Sequence, residues 1–225
     1  MSKRLKEAEA QIEQDKLYPI EEAIKLAKET STVKFDASLE LHIRLGIDVS
    51  KTDQIVRGTI ALPHMKGESK RVAAFVEDDK QDLAKKAGAD LVGGEELVTE
   101  IVQKGKIDFD VAVATPGMMP KVAKAAKVLG PKGLMPNPKT DTVSDDLEKM
   151  IKEQKAGKLN FRNDNGANLH VKIGKVSQAE TEIQANYDAL LAAVKKVKPA
   201  TSKGIYLKAA YLTTSMGPSI KIEIE

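Results

Sequence analysis

Cysteine is absent from the 225-residue chain, so neither a disulfide nor a thiolate metal site can form, and a reducing compartment is compatible with this composition. Aromatic side chains are scarce at 4%, which leaves Ala, Val, Ile and Leu to build the interior. Residues 1–16 hold no apolar run of the kind that a signal peptide or a membrane span needs, and the expectation is a soluble protein not exported by that route. The histidines His42, His64 and His170 lack the short spacing of a helical metal pair, and each is expected to be structural or solvent-facing. Internal repeats and low-complexity tracts are also missing.

Catalytic signatures are wanting as well. A dinucleotide site needs a glycine-rich turn after its first strand so that the backbone can approach a pyrophosphate. Here Val76 is followed by Glu77-Asp78-Asp79, whose charge would repel it. No segment fits the phosphate-binding loop of Gly, four residues, then Gly-Lys-Ser or Thr, and no Gly-x-Ser-x-Gly nucleophile turn occurs. The pairs Asp78-Asp79, Glu95-Glu96 and Asp145-Asp146 all fall at predicted helix starts, where the dipole and capping favour negative charge. Thr115-Pro116-Gly117 reads as a strand-to-helix turn. These absences argue against an enzyme and imply no cofactor.

What is present is globular: 41% hydrophobic and 31% charged residues, enough for two cores of about 100 residues each. The net charge of +3 is a weak pointer to nucleic acid, but its distribution is uneven. Residues 68–158 hold 16 basic and 16 acidic side chains, so the flanks carry the whole excess, 20 against 17.

The middle third alternates strands and helices. Arg71 to Val76, Asp90 to Val92 and Val111 to Ala114 read as short buried strands; Lys80 to Ala87, Glu95 to Gln103, Met119 to Leu129 and a last segment from Ser144 to about Gln154 read as helices. Such alternation with short glycine turns predicts a parallel sheet wrapped by helices. The flanks differ. Leu39, Leu41, Ile43 and Leu45 alternate with Ser38, Glu40, His42 and Arg44, and the same period recurs over Leu169 to Ile173 and Ile220 to Ile224, which predicts strands with one buried and one wet face. Helices over Ser2 to Lys16, Ile20 to Glu29 and Gln178 to Val197 would cover the buried face. The simplest arrangement is an α+β two-layer terminal domain built from residues 1–67 and 159–225, with a three-layer α/β Rossmann-like domain of residues 68–158 inserted in it. The two crossings, near Gly67 and Gly157, would make a double-stranded hinge.

Two loops stand out. Gly130-Pro131-Lys132-Gly133-Leu134-Met135-Pro136-Asn137-Pro138 cannot be helix or central strand, and its Leu134 and Met135 are expected to pack against a neighbour. Thr213-Thr214-Ser215-Met216-Gly217-Pro218 follows a strand near the C-terminus. Hydroxyls at 213 to 215 can bond ribose or phosphate, Gly217 can let a ligand approach the backbone, and Phe35 and Met216 can cover a base or sugar. On spacing alone, an RNA site and a plain turn before Pro218 fit equally well.

The two loops together, in this order, resemble the L-one family of large-subunit ribosomal proteins, bacterial type, over essentially the whole chain. The resemblance implies a terminal domain that binds a junction of large-subunit rRNA at the mobile stalk, with Phe35, Ser38 and Glu40 on an early strand, Arg162 within Phe161-Arg162-Asn163-Asp164, and Ser215, Met216 and Gly217 at the C-terminal turn; Lys34, just before that strand, and Thr213 and Thr214 join them from the reading of the residues themselves. Ser215 and Ser38 stand where threonine is commoner, and both keep a hydroxyl. It further implies a cytoplasmic, ribosome-associated protein, monomeric off the ribosome, that assists release of exit-site tRNA and represses translation of its own mRNA. The alternative is a nucleotide- or small-molecule-binding enzyme or sensor using the inserted domain.

Overall fold

The computed structural model describes residues 3–13, 16–64, 70–105, 107–155 and 157–224. Its content is mixed α/β with three separate sheets. In chain order the regular elements are α1 (Lys3–Glu9), α2 (Ile20–Glu29), β1 (Ser38–Leu45), β2 (Arg57–Ile60), β3 (Val72–Phe75), α3 (Gln81–Lys86), β4 (Leu91–Gly93), α4 (Glu95–Lys104), β5 (Val111–Ala114), α5 (Met119–Val122), α6 (Ala126–Leu129), α7 (Leu147–Lys155), β6 (Leu159–Arg162), β7 (Asn168–Lys175), α8 (Glu180–Lys196), β8 (Leu207–Thr214) and β9 (Ser219–Ile222). Contacts group the chain into two compact units, Met1–Lys66 with Asn160–Glu225, and Gly67–Leu159.

The first unit is organised by a four-stranded sheet in the order β7-β1-β8-β9, antiparallel throughout. Its strands alternate as their sequences do: Leu39, Leu41, Ile43 and Leu45 of β1, Leu169, Val171 and Ile173 of β7, Ala210 and Leu212 of β8, and Ile220 and Ile222 of β9 are all buried. Helices α2 and α8 pack on this apolar side. Glu21 and Glu22 open α2 and Lys28 closes it, in line with the helix dipole, and the Thr30 hydroxyl donates to the Leu26 carbonyl at 2.7 Å to finish its last turn. Asn186 of α8 is fully buried and satisfied, its amide donating to the carbonyls of Ile173 and His64 and its oxygen accepting from the His64 N–H. The pair β2 and β6 makes a small second sheet. It approaches so closely that a Cβ at Gly58 would sit 2.5 Å from the Phe161 ring.

The second unit holds a three-stranded parallel sheet, β4-β3-β5. Every residue of β3 and β5 is buried, because both faces are covered. Ala73, Phe75, Ala112 and Ala114 meet Val98 and Ile101 of α4, Val122 of α5 and Leu129 of α6 on one side. Val72, Ala74, Val111 and Val113 meet Ala84 of α3 and Leu147, Met150 and Ile151 of α7 on the other. Leu134 and Met135 of the proline-rich loop pack onto the first of these clusters, so the neighbour they cover is their own unit's core.

Three expectations need correcting. The first helix ends at Glu9 rather than Lys16, since the segment beyond Ala10 offers no apolar stripe to bury. Met119 to Leu129 is not one helix: α5 and α6 are separated by a tighter 3-10 turn at Ala123–Ala125. The sheet of β2 and β6 has no counterpart in the period-two reading, because each strand is only four residues long. Of the two crossings, Gly157 takes a left-handed conformation (φ 93°) after α7, whereas Gly67 lies outside the described residues.

Candidate nucleic-acid interface

Opposite α2 and α8, the four-stranded sheet presents a polar face whose rows follow from strand register. Ser38, Glu40, His42 and Arg44 project from β1. Glu40 stands between Lys172 of β7 and Thr213 of β8, His42 between His170 and Tyr211, and Arg44 between Asn168 and Ala209. On β9, Lys221 pairs with Tyr211 and Ser219 with Thr213.

One end of this face is made by two segments 177 positions apart in sequence. The Ser215 N–H donates to the Ser38 carbonyl at 3.0 Å, and the Ser38 N–H donates to the Ser215 hydroxyl at 3.2 Å. These bonds dock the β8–β9 hairpin turn onto the start of β1. The turn is closed by the Gly217 N–H donating to the Thr214 carbonyl at 2.8 Å. At its tip Met216 is 73% exposed, and Phe35, leading into β1 beside the exposed Lys34, is 54% exposed. Large apolar side chains held this far into solvent by a braced backbone are suited to lie against the flat faces of bases or the edges of sugars. The approach to β1 is itself fixed. Asp36 accepts from the N–H and hydroxyl of Ser177 at 3.1 and 2.9 Å and pairs with Lys175 at 3.7 Å. Desolvation pushes its carboxyl up, but the bonds from Ser177 and the charge of Lys175 outweigh it and hold the carboxyl below its ordinary value.

Of the residues picked from the sequence, Ser38, Ser215, Met216 and Gly217 meet at this end, Phe35 and Lys34 enter it, and Glu40 and Thr213 form the next row. Two readings change. Glycine is required at 217 by the protein's own packing, for a Cβ there would lie 2.1 Å from Thr214 Oγ1; the left-handed residue is Met216, with φ 61°. Thr214 is 2% exposed and its hydroxyl points inward under the turn without a hydrogen-bond partner, so it is not offered to a ligand as Thr213 and Ser215 are. The alternation of Ala210, Leu212 and Thr214 already carried that signal. Arg162 is exposed at the end of β6, in the small sheet with β2 rather than in the four-stranded one, and the Asn163 to Ala167 segment leads on from it to Asn168, opposite Arg44. Arg4 was not singled out; its guanidinium donates to the Met216 carbonyl at 3.2 Å.

The parallel sheet offers a different cavity, a crevice of about 820 Å³ at the carboxyl ends of β3 and β4. That is where open α/β sheets take ligands. Its lining includes Glu77, Asp78, Glu95, Glu96 and Glu100 against Lys121. Lys121 is engaged by Glu95 at 3.3 Å, and Lys124 reaches the same carboxylate at 2.8 Å, holding it below its ordinary value. A nucleotide phosphate would be repelled there. Among the described residues, no cluster of three or more His, Asp or Glu side chains is placed to hold a metal ion, and no helix is long and apolar enough to cross a membrane.

Comparison with known proteins shows the family of the chain. Residues 27–218 match the profile of the ribosomal protein L1p/L10e family. The chain is 50% identical over 222 residues to the large ribosomal subunit protein uL1 of Streptomyces coelicolor, covering 99% of this chain and 92% of that one. It is 51% identical to the protein of the same name from Mycolicibacterium smegmatis, covering 99% and 94%.

Proposed function

The chain belongs to the ribosomal protein L1p/L10e family, and on that premise we propose that it is a structural constituent of the large ribosomal subunit, binding large-subunit rRNA at the mobile stalk through the polar face of its four-stranded sheet. The observation that carries this reading is the docking of Ser215 on Ser38, which brings the turn bearing the exposed Met216 to the start of β1, where the exposed Phe35 leads in and the Glu40 and Thr213 row follows. Backbone groups and hydroxyls on a fixed β surface suit recognition of RNA shape and 2′-hydroxyls rather than a long base sequence. In this reading residues 1–67 and 159–225 are a two-layer α+β RNA-binding domain and 68–158 an inserted three-layer Rossmann-like domain. Lys34, Phe35, Ser38, Glu40, Thr213, Ser215 and Met216 touch RNA, Gly217 and Thr214 shape the turn, and Arg162 meets phosphate beyond the far end of the face. The protein works in the cytoplasm on the ribosome, assists departure of exit-site tRNA, and represses its own mRNA by binding a copy of the same RNA shape. No catalytic residue or cofactor is required.

A titration with a transcript of the stalk rRNA junction tests the site. Gly217→Val, which drives a side chain into Thr214, weakens binding at least about tenfold, whereas Lys196→Ala on the exposed end of α8 changes it less than about twofold. Equal effects in two variants with native circular dichroism would remove the turn from the interface.

A further inference from the structure

Midway along the polar face, His42 and His170 confront each other across β1 and β7, with Nδ1 to Nδ1 at 2.7 Å and the rings edge-on at 62°. Two lone pairs at that distance repel and two N–H groups collide, so one proton lies between the rings. The outer nitrogens face carboxylates: His170 Nε2 is 3.3 Å from Asp164 Oδ2, and His42 Nε2 is 3.9 Å from Glu40 Oε2. A carboxylate only accepts, so His170 Nε2 carries its own proton, and His42 Nε2, beyond hydrogen-bond reach of Glu40 but facing its charge, is where a third proton is taken up. With that third proton the two imidazoles share one positive charge; without it the pair is neutral and the proton between the rings remains.

We propose that the His42–His170 pair is a further RNA contact, an imidazole–imidazolium unit that sets one titratable positive charge under the RNA backbone between the Met216 end of the face and the Arg44 end. The proposal rests on the reading that this face binds RNA. The pair completes a row across all four strands, His170, His42, Tyr211 and Lys221, so backbone lying across the sheet meets it centrally. The charged and titratable groups around it are Glu40 and Arg44 on β1, Asp164 before β7, Lys172 on β7, Tyr211 on β8 and Lys221 on β9. Asp164 is kept ionised. The Asn168 N–H, at 2.7 Å, is the chief reason that its carboxyl lies below the ordinary value, with further bonds from the Asn168 side chain, His170 and Gly166. His42 is the ring that gives up its charge. Burial and the neighbouring His170 push its pKa down, and Glu40 opposes them only in part.

The sign follows from counting protons. With the third proton in place, the four groups Glu40, His42, His170 and Asp164 carry a net charge of −1; on its loss with rising pH they carry −2, and phosphate is attracted less. RNA affinity therefore falls as pH rises through the titration of the pair, and bound RNA raises the midpoint of that titration reciprocally. A single charge a few ångström below a partly solvated phosphate corresponds to a change of about three- to tenfold.

The test uses the full chain, the stalk rRNA junction transcript and an unrelated hairpin of equal length, with dissociation constants measured at fixed salt from pH 6 to pH 8. The constant for the junction should rise about three- to tenfold in the wild type and in His64→Gln, and stay flat at the weaker value in His42→Gln and His170→Gln. Imidazole nitrogen NMR of this three-histidine chain should show a proton shared between the Nδ1 atoms of His42 and His170, and none shared by His64. A flat wild-type profile with specific binding intact, a slope that survives in both glutamine variants, or Nδ1 signals of His42 and His170 that show no shared proton would each overturn this inference alone. Failure to prefer the junction over the hairpin at any pH would overturn the RNA reading together with it.

Discussion

The antiparallel and parallel sheets of this chain use similar residues to opposite ends. In β1, alternate positions are buried, so half of its side chains remain available for recognition; in β3 and β5 every position is buried, and nothing on the sheet surface is left to touch a ligand. A sheet covered on both faces can act only through the crevice at its strand ends, and here that crevice is lined by carboxylates. A sheet covered on one face is at once a scaffold and a surface. The absence of a dinucleotide turn after Val76 and the wet parity of Ser38, Glu40 and His42 are two aspects of that division.

The comparison is broken most forcefully from the parallel side. Phe75 is fully buried against Phe109, with ring centroids 6.3 Å apart, and Phe75→Ala should destabilise the protein by about 3–5 kcal/mol in thermal or urea unfolding. At temperatures where the variant is folded, its affinity for the stalk junction should match wild type; a parallel loss of affinity would give the second unit a direct part in binding. The converse change is smaller. Phe35→Ala removes an exposed ring before β1 and should weaken RNA binding by about 1–3 kcal/mol, with unfolding shifted by less than about 0.5 kcal/mol. A drop in stability without a drop in affinity would make Phe35 a packing residue. The least effect is expected from Asp90, whose carboxylate accepts from the Val72 N–H at 2.9 Å and pairs with Lys155 at 3.3 Å. The bond from Val72 is the main reason that its pKa lies below the ordinary carboxylate value, so its contribution is complete above that value and is lost as pH falls through the lower, folded one. Acid unfolding of Asp90→Asn followed from pH 5 to pH 2 should therefore be slightly less pH-dependent than that of wild type, while a steeper acid limb would contradict this account.

Legibility in the sequence tracked the length and regularity of the apolar pattern. The eight-residue strands β1 and β7 were readable because four or three buried side chains repeat at period two, and α2 because its boundaries coincide with Pro19 and Thr30. β2 and β6 were hidden because four residues cannot establish a period, and the break between α5 and α6 because Ala123 to Ala125 suits either kind of helical turn. At the candidate site, the residues on one strand and one hairpin could be grouped, but which of Met216 and Gly217 takes the left-handed conformation depends on how closely Thr214 packs beneath. The facing of His42 and His170 was beyond reach. Both could be assigned to wet positions, yet only strand register sets them opposite each other.

The hairpin tip has a bearing on how this protein could be improved or spoiled. A residue other than glycine at φ 61° costs about 1 kcal/mol, so Met216 is a standing concession of durability to surface chemistry. A laboratory lineage selected for heat resistance alone would drift toward glycine at that position, growing hardier while giving up the exposed side chain that the proposed interface uses.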